Sequence, residues 1–476
     1  MAAGRADTAF RVAEELRRHA KEPWDVYGER TEVFEIHLLG SEVEMVRGPL
    51  RVEGFGVRLF RPANDHLGVG FAASSMLNPE GIQNAMEIAE STSRYSRFPV
   101  KTMKLPEAGN GPAPTVESDD PALQADPLKV LEGFVASLLD RFEGRKDVQP
   151  SFGSVKVALA QVTVTNSTGL ERAFPRTTVE FEMAVTASGG PQGAAPGEYW
   201  LTRAWGGLPN GFPNEVDAWC RHAEAVRHAS PPVSRSTTVV FPTHVLADVM
   251  PVILGYRLSG AARLRNMMPT TGTEVGSEPV NVWDDGLVPF GLASAPYDDE
   301  GTAQGRRQLI DHGRVATGVY DLLHGALFEE RPMGNGRRTG VFFATPHHFP
   351  FPPQPHATNL VVEPGAGGTR EELIEQVKEG LWIEQLGFAF PDPVSGAFGG
   401  EIRLAYRIHD GHLGEAVRGG TVGGILLGGS DQPSILRSVR AIGSKPELVG
   451  YLSSPPMVID DVTVAGPGEP ATSVVG

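Results

Sequence analysis

A single cysteine, Cys220, stands in 476 residues. It excludes an intramolecular disulfide framework and any CxxC redox or Cys-rich zinc motif. Long apolar runs are also missing, and nothing approaches the ~18 consecutive apolar residues of a membrane-spanning helix. The segment Met1 to Phe10 lacks the apolar stretch of a signal peptide and meets acidic residues early, so a cytoplasmic protein without a membrane role is expected. Basic runs are absent too. Lys and Arg number 42 against 58 Asp and Glu, a net charge of −16. Phosphate-backbone recognition depends on Lys and Arg releasing counterions, which argues against nucleic-acid binding as the main role. No Gly-x-Ser-x-Gly elbow, Walker loop or dinucleotide-binding glycine motif occurs.

What is present suffices for a large core, with 40% hydrophobic and 21% charged residues. The length suggests two or three domains. Gly (57) and Pro (39) together fall short of the roughly 25–30% that marks low complexity.

Periodicity predicts an amphipathic helix around Phe10, Ala13 and Leu16, then alternating stretches from Val33 to Leu39, Phe55 to Leu59 and Leu67 to Phe71. The last two flank Pro62-Ala-Asn64-Asp65 and read as a hairpin. Asn78-Pro79 opens a helix with a cap and Pro at its first position. Residues 105–122 read as a connecting loop. Leu131, Phe134, Val135, Leu138, Leu139 and Phe142 form a buried helical stripe after Asp126-Pro127. Strands are expected over Val155–Val164 and Val179–Val185, joined at Asn166 to Gly169, with a loop from Gly189 to Gly197. The character changes near Ser230-Pro231-Pro232. This divides the chain into an N-terminal α+β domain (residues 1–230) and a β-rich C-terminal domain (231–476). Short strands are expected at Thr237–Phe241, Val280–Trp283, Gly340–Phe343, Leu360–Glu363, Ile402–Ile408 and Met457–Val464. Thr369 and Glu372 form a capping box. The fold class is α+β.

A zinc helix needs two histidines one turn apart and a glutamate to activate water. The best candidate helix, Thr243 to Tyr256, has His244, but Val245 follows it, and Pro251 bends the helix. A capping or surface role is the simpler reading of His244 and Asp248. His347, His348 and His356 sit in a Pro-rich stretch that either fixes a metal geometry or packs aromatics and contacts a partner. Cys220 and His222 diverge by about 200° on a helix, which suggests a buried thiol and surface imidazoles at His222 and His228. Gly419-Gly420-Thr-Val-Gly423-Gly424 has the wrong spacing for a phosphate cradle and reads as tight backbone packing. Asp284 and Asp285, with Asp298, Asp299 and Glu300, are the densest carboxylates. They suit a hard cation or a basic peptide group, although their composition favours solvated turns.

Several runs taken in order resemble the TldD/PmbA family. They are Val282-Trp-Asp284-Asp285-Gly286, Ala295-Pro-Tyr297-Asp298-Asp299-Glu300-Gly301 and Leu309-Ile-Asp-His-Gly313. Gly334-Asn335-Gly336-Arg337-Arg338, Thr358-Asn359-Leu360 and Val417-Arg418-Gly419-Gly420-Thr421 follow, then Ser454-Pro-Pro-Met457 to Gly466. In the first half, Gly56-Val57-Arg58-Leu59, Gly68-Val69-Gly70-Phe71 and Asn166-Ser-Thr-Gly169-Leu170 add to the likeness. The resemblance implies a two-part α+β fold and a role in intracellular proteolysis. The TldD-like subunit of this family carries a His-Glu-x-x-x-His zinc helix, and the TldE/PmbA-like subunit lacks it and completes the complex. Here the corresponding stretch reads Phe241-Pro-Thr-His244-Val-Leu-Ala-Asp248, without the glutamate or second histidine.

The resemblance therefore implies a TldE-like, non-catalytic subunit with no cofactor of its own and zinc in a TldD-like partner. Its substrates would be peptides, with antibiotic or natural-product maturation as one setting. Asp284, Asp285, Asp298, Asp299 and Glu300 are then expected to present an acidic rim to peptide or partner. Asn335, Arg337 and Arg338 are expected to grip carboxylates, with His347 and His348 beside them. Short C-terminal strands offer edges for peptide pairing. Two alternatives stay open: a self-contained amide hydrolase using His347, His348, His356 and the acidic run, and a homo-oligomeric peptide-binding protein without a zinc partner.

Overall fold

The computed structural model describes residues 8–109, 113–188, 196–338, 347–428 and 434–467. The expected strand at Gly340–Phe343 and most of the expected loop from Gly189 to Gly197 lie outside them.

The N-terminal part comprises α1 (Thr8–His19), β1 (Trp24–Leu39), β2 (Glu42–Pro62), β3 (Leu67–Ser74), α2 (Pro79–Ser93), α3 (Pro121–Ala125), α4 (Pro127–Leu139), β4 (Val148–Asn166), β5 (Glu171–Ala187), β6 (Gly197–Trp205) and α5 (Val216–Val226). Its strands form one antiparallel sheet in the order β3-β2-β1-β4-β5-β6. The expected hairpin is β2–β3, with Phe55 opposite Ser74 and Pro62 opposite Leu67. Asn78 caps α2 by accepting from Gly81 N at 2.9 Å. One sheet face supplies Ile36, Val157, Val179 and Phe181 to a core shared with Leu131, Phe134 and Leu138 of α4 and with Trp219 and Cys220 of α5. Leu139 only edges this core.

The C-terminal part runs β7 (Arg235–Phe241), α6 (Thr243–Ala247), α7 (Met250–Arg257), α8 (Gly260–Leu264), β8 (Val282–Asp285), β9 (Arg306–Asp311), β10 (Arg314–Val315), α9 (Leu322–Phe328), β11 (Gly336–Arg337), β12 (Gln354–Pro355), β13 (Leu360–Val362), α10 (Arg370–Glu375), β14 (Glu379–Gly387), β15 (Ala397–His409), β16 (His412–Val417), β17 (Thr421–Ile425), β18 (Val439–Ile442), β19 (Glu447–Val449), β20 (Leu452–Ser454) and β21 (Met457–Ala465). Strands β14, β7, β21, β17 and β15 pair in sequence, and β14 pairs β15 again, so the ring closes into a small barrel. Closure removes sheet edges, so these five strands do not offer the free edges expected for peptide pairing. A second sheet, β10-β9-β8-β13-β20-β19, lies alongside. The expected helix Thr243–Tyr256 is two helices, interrupted at Asp248 and Val249. Pro251, near the start of α7, has no N–H to donate back across the break. Glycines of the 419–424 run do mark close packing. A Cβ on Gly420 would lie 2.2 Å from Ala465 O, and one on Gly423 2.5 Å from Phe398 O.

The two parts meet where Tyr27, Val162, Val164 and Phe174 of the first pack on Ala295, Tyr297 and Phe349 of the second. Gly56 permits that approach, because a Cβ there would lie 2.7 Å from Phe349 O and 2.6 Å from Arg338 Nη1.

Candidate functional site

The tight turn Asp298 to Thr302, with Gly301 at φ +84°, delivers three consecutive acids to this seam. Asp298 Oδ1 accepts from Glu300 N (3.0 Å) and Thr302 N (2.8 Å), and its Oδ2 accepts from Gly336 N (2.9 Å). Asp299 accepts from Arg176 Nη2 (3.2 Å) and Arg338 N (2.7 Å). Glu300 pairs with Arg58 Nη2 at 2.7 Å and accepts from Leu322 N at 2.8 Å. Arg58 also holds Asp25 through Nε at 3.0 Å and through Nη2. Nearby, Asp284 accepts from Thr358 Oγ1 (2.8 Å) and from Asn335 Nδ2 (2.6 Å).

These contacts correct the expectation of an acidic rim. Asp284, Asp298, Asp299 and Glu300 are each no more than 2% exposed. Asp285 alone is half-buried, caps Leu287 N at 2.9 Å and faces Arg306 at 3.7 Å. Buried carboxylates persist where donors satisfy them, and here the donors are backbone amides and guanidinium groups of the same chain. Asn335 does bind a carboxylate, but it is Asp284. Arg337 donates to Ala293 O (2.7 Å), and Arg338 donates to Phe351 O (2.9 Å) while lying over the Tyr27 ring. His348 and Phe349 donate their backbone N–H to Glu29 Oε2, at 2.5 and 3.2 Å, and His347 stacks on Phe349. The Pro-rich stretch therefore packs an aromatic and crosses to the N-terminal sheet.

Burial drives the electrostatics. It raises Asp298 well above the usual carboxylate range, with Glu300 adding to the effect. It pushes Glu300 up to about 7 against the opposing pull of Arg58. Asp299 sits below its ordinary value, because the Arg176 and Arg337 charges outweigh its desolvation.

A second cluster bridges the two parts at Glu384. Its carboxylate accepts from Trp382 Nε1 (2.9 Å) and Tyr199 Oη (3.3 Å), and His222 Nε2 lies 3.5 Å away. His222 Nδ1 bonds Tyr406 Oη at 2.7 Å. His244 Nε2 sits 2.7 Å from the Glu384 carbonyl oxygen, where it donates. Neither His222 nor His244 is a surface imidazole. Burial lowers both, His244 to about 4, and their charges in turn lower Glu384 against its desolvation. His244 Nε2 thus ties α6 to the backbone of β14. Among the described residues, no three His, Cys, Asp or Glu side chains are grouped so as to hold a metal ion.

Sequence reasoning singled out neither Glu29, Asp25 and Arg176 nor Glu384 as site residues. The available signal was a charge placed between apolar residues of a strand, as in Trp24-Asp25-Val26 and Val57-Arg58-Leu59.

Residues 234–466 match the family described as PmbA/TldA metallopeptidase C-terminal domain. A metalloprotease of Methanocaldococcus jannaschii is 29% identical over 181 residues, covering 38% of this chain and 37% of the relative. A Haemophilus influenzae protein named as a metalloprotease TldD homolog is 27% identical over 209 residues, 41% of this chain and 40% of the relative. These alignments span well under half of either relative. Among solved structures, TldE from Thermococcus kodakarensis superposes with a TM-score of 0.75 at 19% identity, covering 96% of this chain and 100% of that one. A Thermotoga maritima protein described as a modulator of a DNA gyrase gives a TM-score of 0.79 at 17% identity, covering 96% and 99%. At such identities the likeness establishes the fold.

Fold and matches together define a two-part α+β protein whose second part is a metallopeptidase-family domain. That family match is to residues 234–466, the C-terminal part of the chain. No helix among the described residues is long and apolar enough to cross a membrane.

Proposed function

We propose that this chain is the TldE/PmbA-type subunit of a heteromeric zinc peptidase, binding peptide and completing the complex while a TldD-like partner supplies zinc and cleavage. The observation that supports the reading is the stretch around His244. His244 Nε2 serves the Glu384 carbonyl at 2.7 Å, and Val245 and Asp248 stand where a metal site would need other side chains. The TldE fold neighbour supports the subunit type. The setting is intracellular peptide processing, with maturation of a peptide natural product as one form of it.

The test is reconstitution. Full-length chain, a TldD-like protein and their mixture are assayed for cleavage of an unfolded peptide, with size-exclusion mass measurement alongside. Cleavage by the mixture, none by this chain alone and a co-eluting complex are expected. Zinc-dependent cleavage by this chain alone, or failure to associate, would overturn the reading.

A further inference from the structure

A small cleft, with about 20 Å³ of room for water-sized occupants beneath an open mouth, lies on the polar face of the N-terminal sheet, where the His348 segment crosses it. Its floor and wall come from facing pairs on β4 and β5. Ala160 lies opposite Arg176, Ala158 opposite Thr178 and Lys156 opposite Glu180, so all six side chains share one face. The small floor residues leave the space empty of protein.

The acids here already have donors. Glu29 accepts from His348 N at 2.5 Å, Phe349 N at 3.2 Å and Thr31 Oγ1 at 3.2 Å, and Glu180 accepts from Lys156 Nζ at 2.8 Å. The donors are not used up. Arg176 is 4% exposed and gives Nη2 to Asp299, yet its Nε has no hydrogen-bond partner among the described residues. His348 Nδ1 is likewise unpartnered there. A buried guanidinium N–H left without an acceptor is costly, and each such group calls for an explanation. Lys156 retains further ammonium donors beyond its bond to Glu180. Two buried ring or guanidinium nitrogens of the cleft, Arg176 Nε and His348 Nδ1, thus stand without a partner among the described residues.

We propose that this cleft binds a carboxylate of a peptide-like ligand, held by Arg176 Nε with Lys156 at the mouth. Charge-assisted bonds from a guanidinium suit that partner. The inference rests on the peptide-binding reading above and names the group that would be recognised.

The experiment titrates the full chain by NMR or calorimetry with three probes: N-acetyl-dialanine, its C-terminal amide, and N-acetyl-aspartyl-alanine amide. A carboxylate-bearing probe is expected to bind saturably, and the double amide at least tenfold more weakly. The first and third probes tell a peptide C-terminus from a side-chain carboxylate. Ala158→Leu, which fills the floor and leaves every charge in place, is expected to weaken binding at least tenfold. So is Arg176→Lys, with thermal melts verifying the fold of both. Equal binding of acid and amide, unchanged binding by folded Ala158→Leu, or no saturable binding of either acid would overturn the proposal. Assembly with the zinc partner is followed on the same samples. Intact assembly and cleavage without carboxylate preference remove this inference alone. Carboxylate binding by a chain that cleaves peptides unaided removes only the functional reading.

Discussion

Glu384 shows how much one buried side chain joins. It gathers Tyr199 and His222 from the N-terminal part and Trp382 from the C-terminal part, so its charge serves the docking of the two. Glu384→Gln keeps an oxygen but removes the charge, and a loss of about 1–3 kcal/mol is expected from unfolding in denaturant. His244, lowered to about 4, stabilises the fold above pH 6.5, and that contribution fades as the pH falls toward 4. Glu300 works in the other sense. An acid raised from 4.5 to about 7 favours the folded state below pH 4.5 and loses that contribution as the pH climbs toward 7. Melting temperatures across pH 4–8 should show His244→Gln flattening the acidic limb and Glu300→Gln removing the decline between pH 4.5 and 7. Unchanged profiles would refute these assignments.

At this scale the sequence was only partly legible. Tyr297-Asp-Asp-Glu-Gly301 reads as a turn, and it is one. Its burial could not be read, because Arg176 stands 123 residues before Asp299 and only the three-dimensional fold brings them together.

Elements were more readable, since their signals are local. The Thr369 box is complete, with Thr369 N donating to Glu372 Oε2 at 2.7 Å and Glu372 N to Thr369 Oγ1 at 3.3 Å. Thr369→Ala should therefore cost about 0.5–2 kcal/mol. The α4 stripe and the β2–β3 hairpin followed their periodicities for the same reason. Barrel closure was not legible, because pairing β14 with both β7 and β15 is a property of topology. Gly56 sits in a strand, yet its role is to admit Arg338 and Phe349 from the other part. Gly56→Ala should push the seam apart and lower stability by about 1–3 kcal/mol, with little change in secondary structure by circular dichroism.

For the whole molecule, the closely approached guanidinium and carboxylate groups of the seam hold the N-terminal sheet against the metallopeptidase-family domain. The cleft lies at that border, on a sheet face the C-terminal part covers at one end. The division of labour proposed here places substrate contacts in this chain and the hydrolytic metal in another. Its most direct test is the zinc content of the purified full-length chain after zinc saturation and desalting, measured alone and in complex with a TldD-like partner. We predict substoichiometric zinc in the chain alone and about one zinc per heteromeric pair. One tightly held zinc per isolated chain, lost on His244→Ala, would contradict the account.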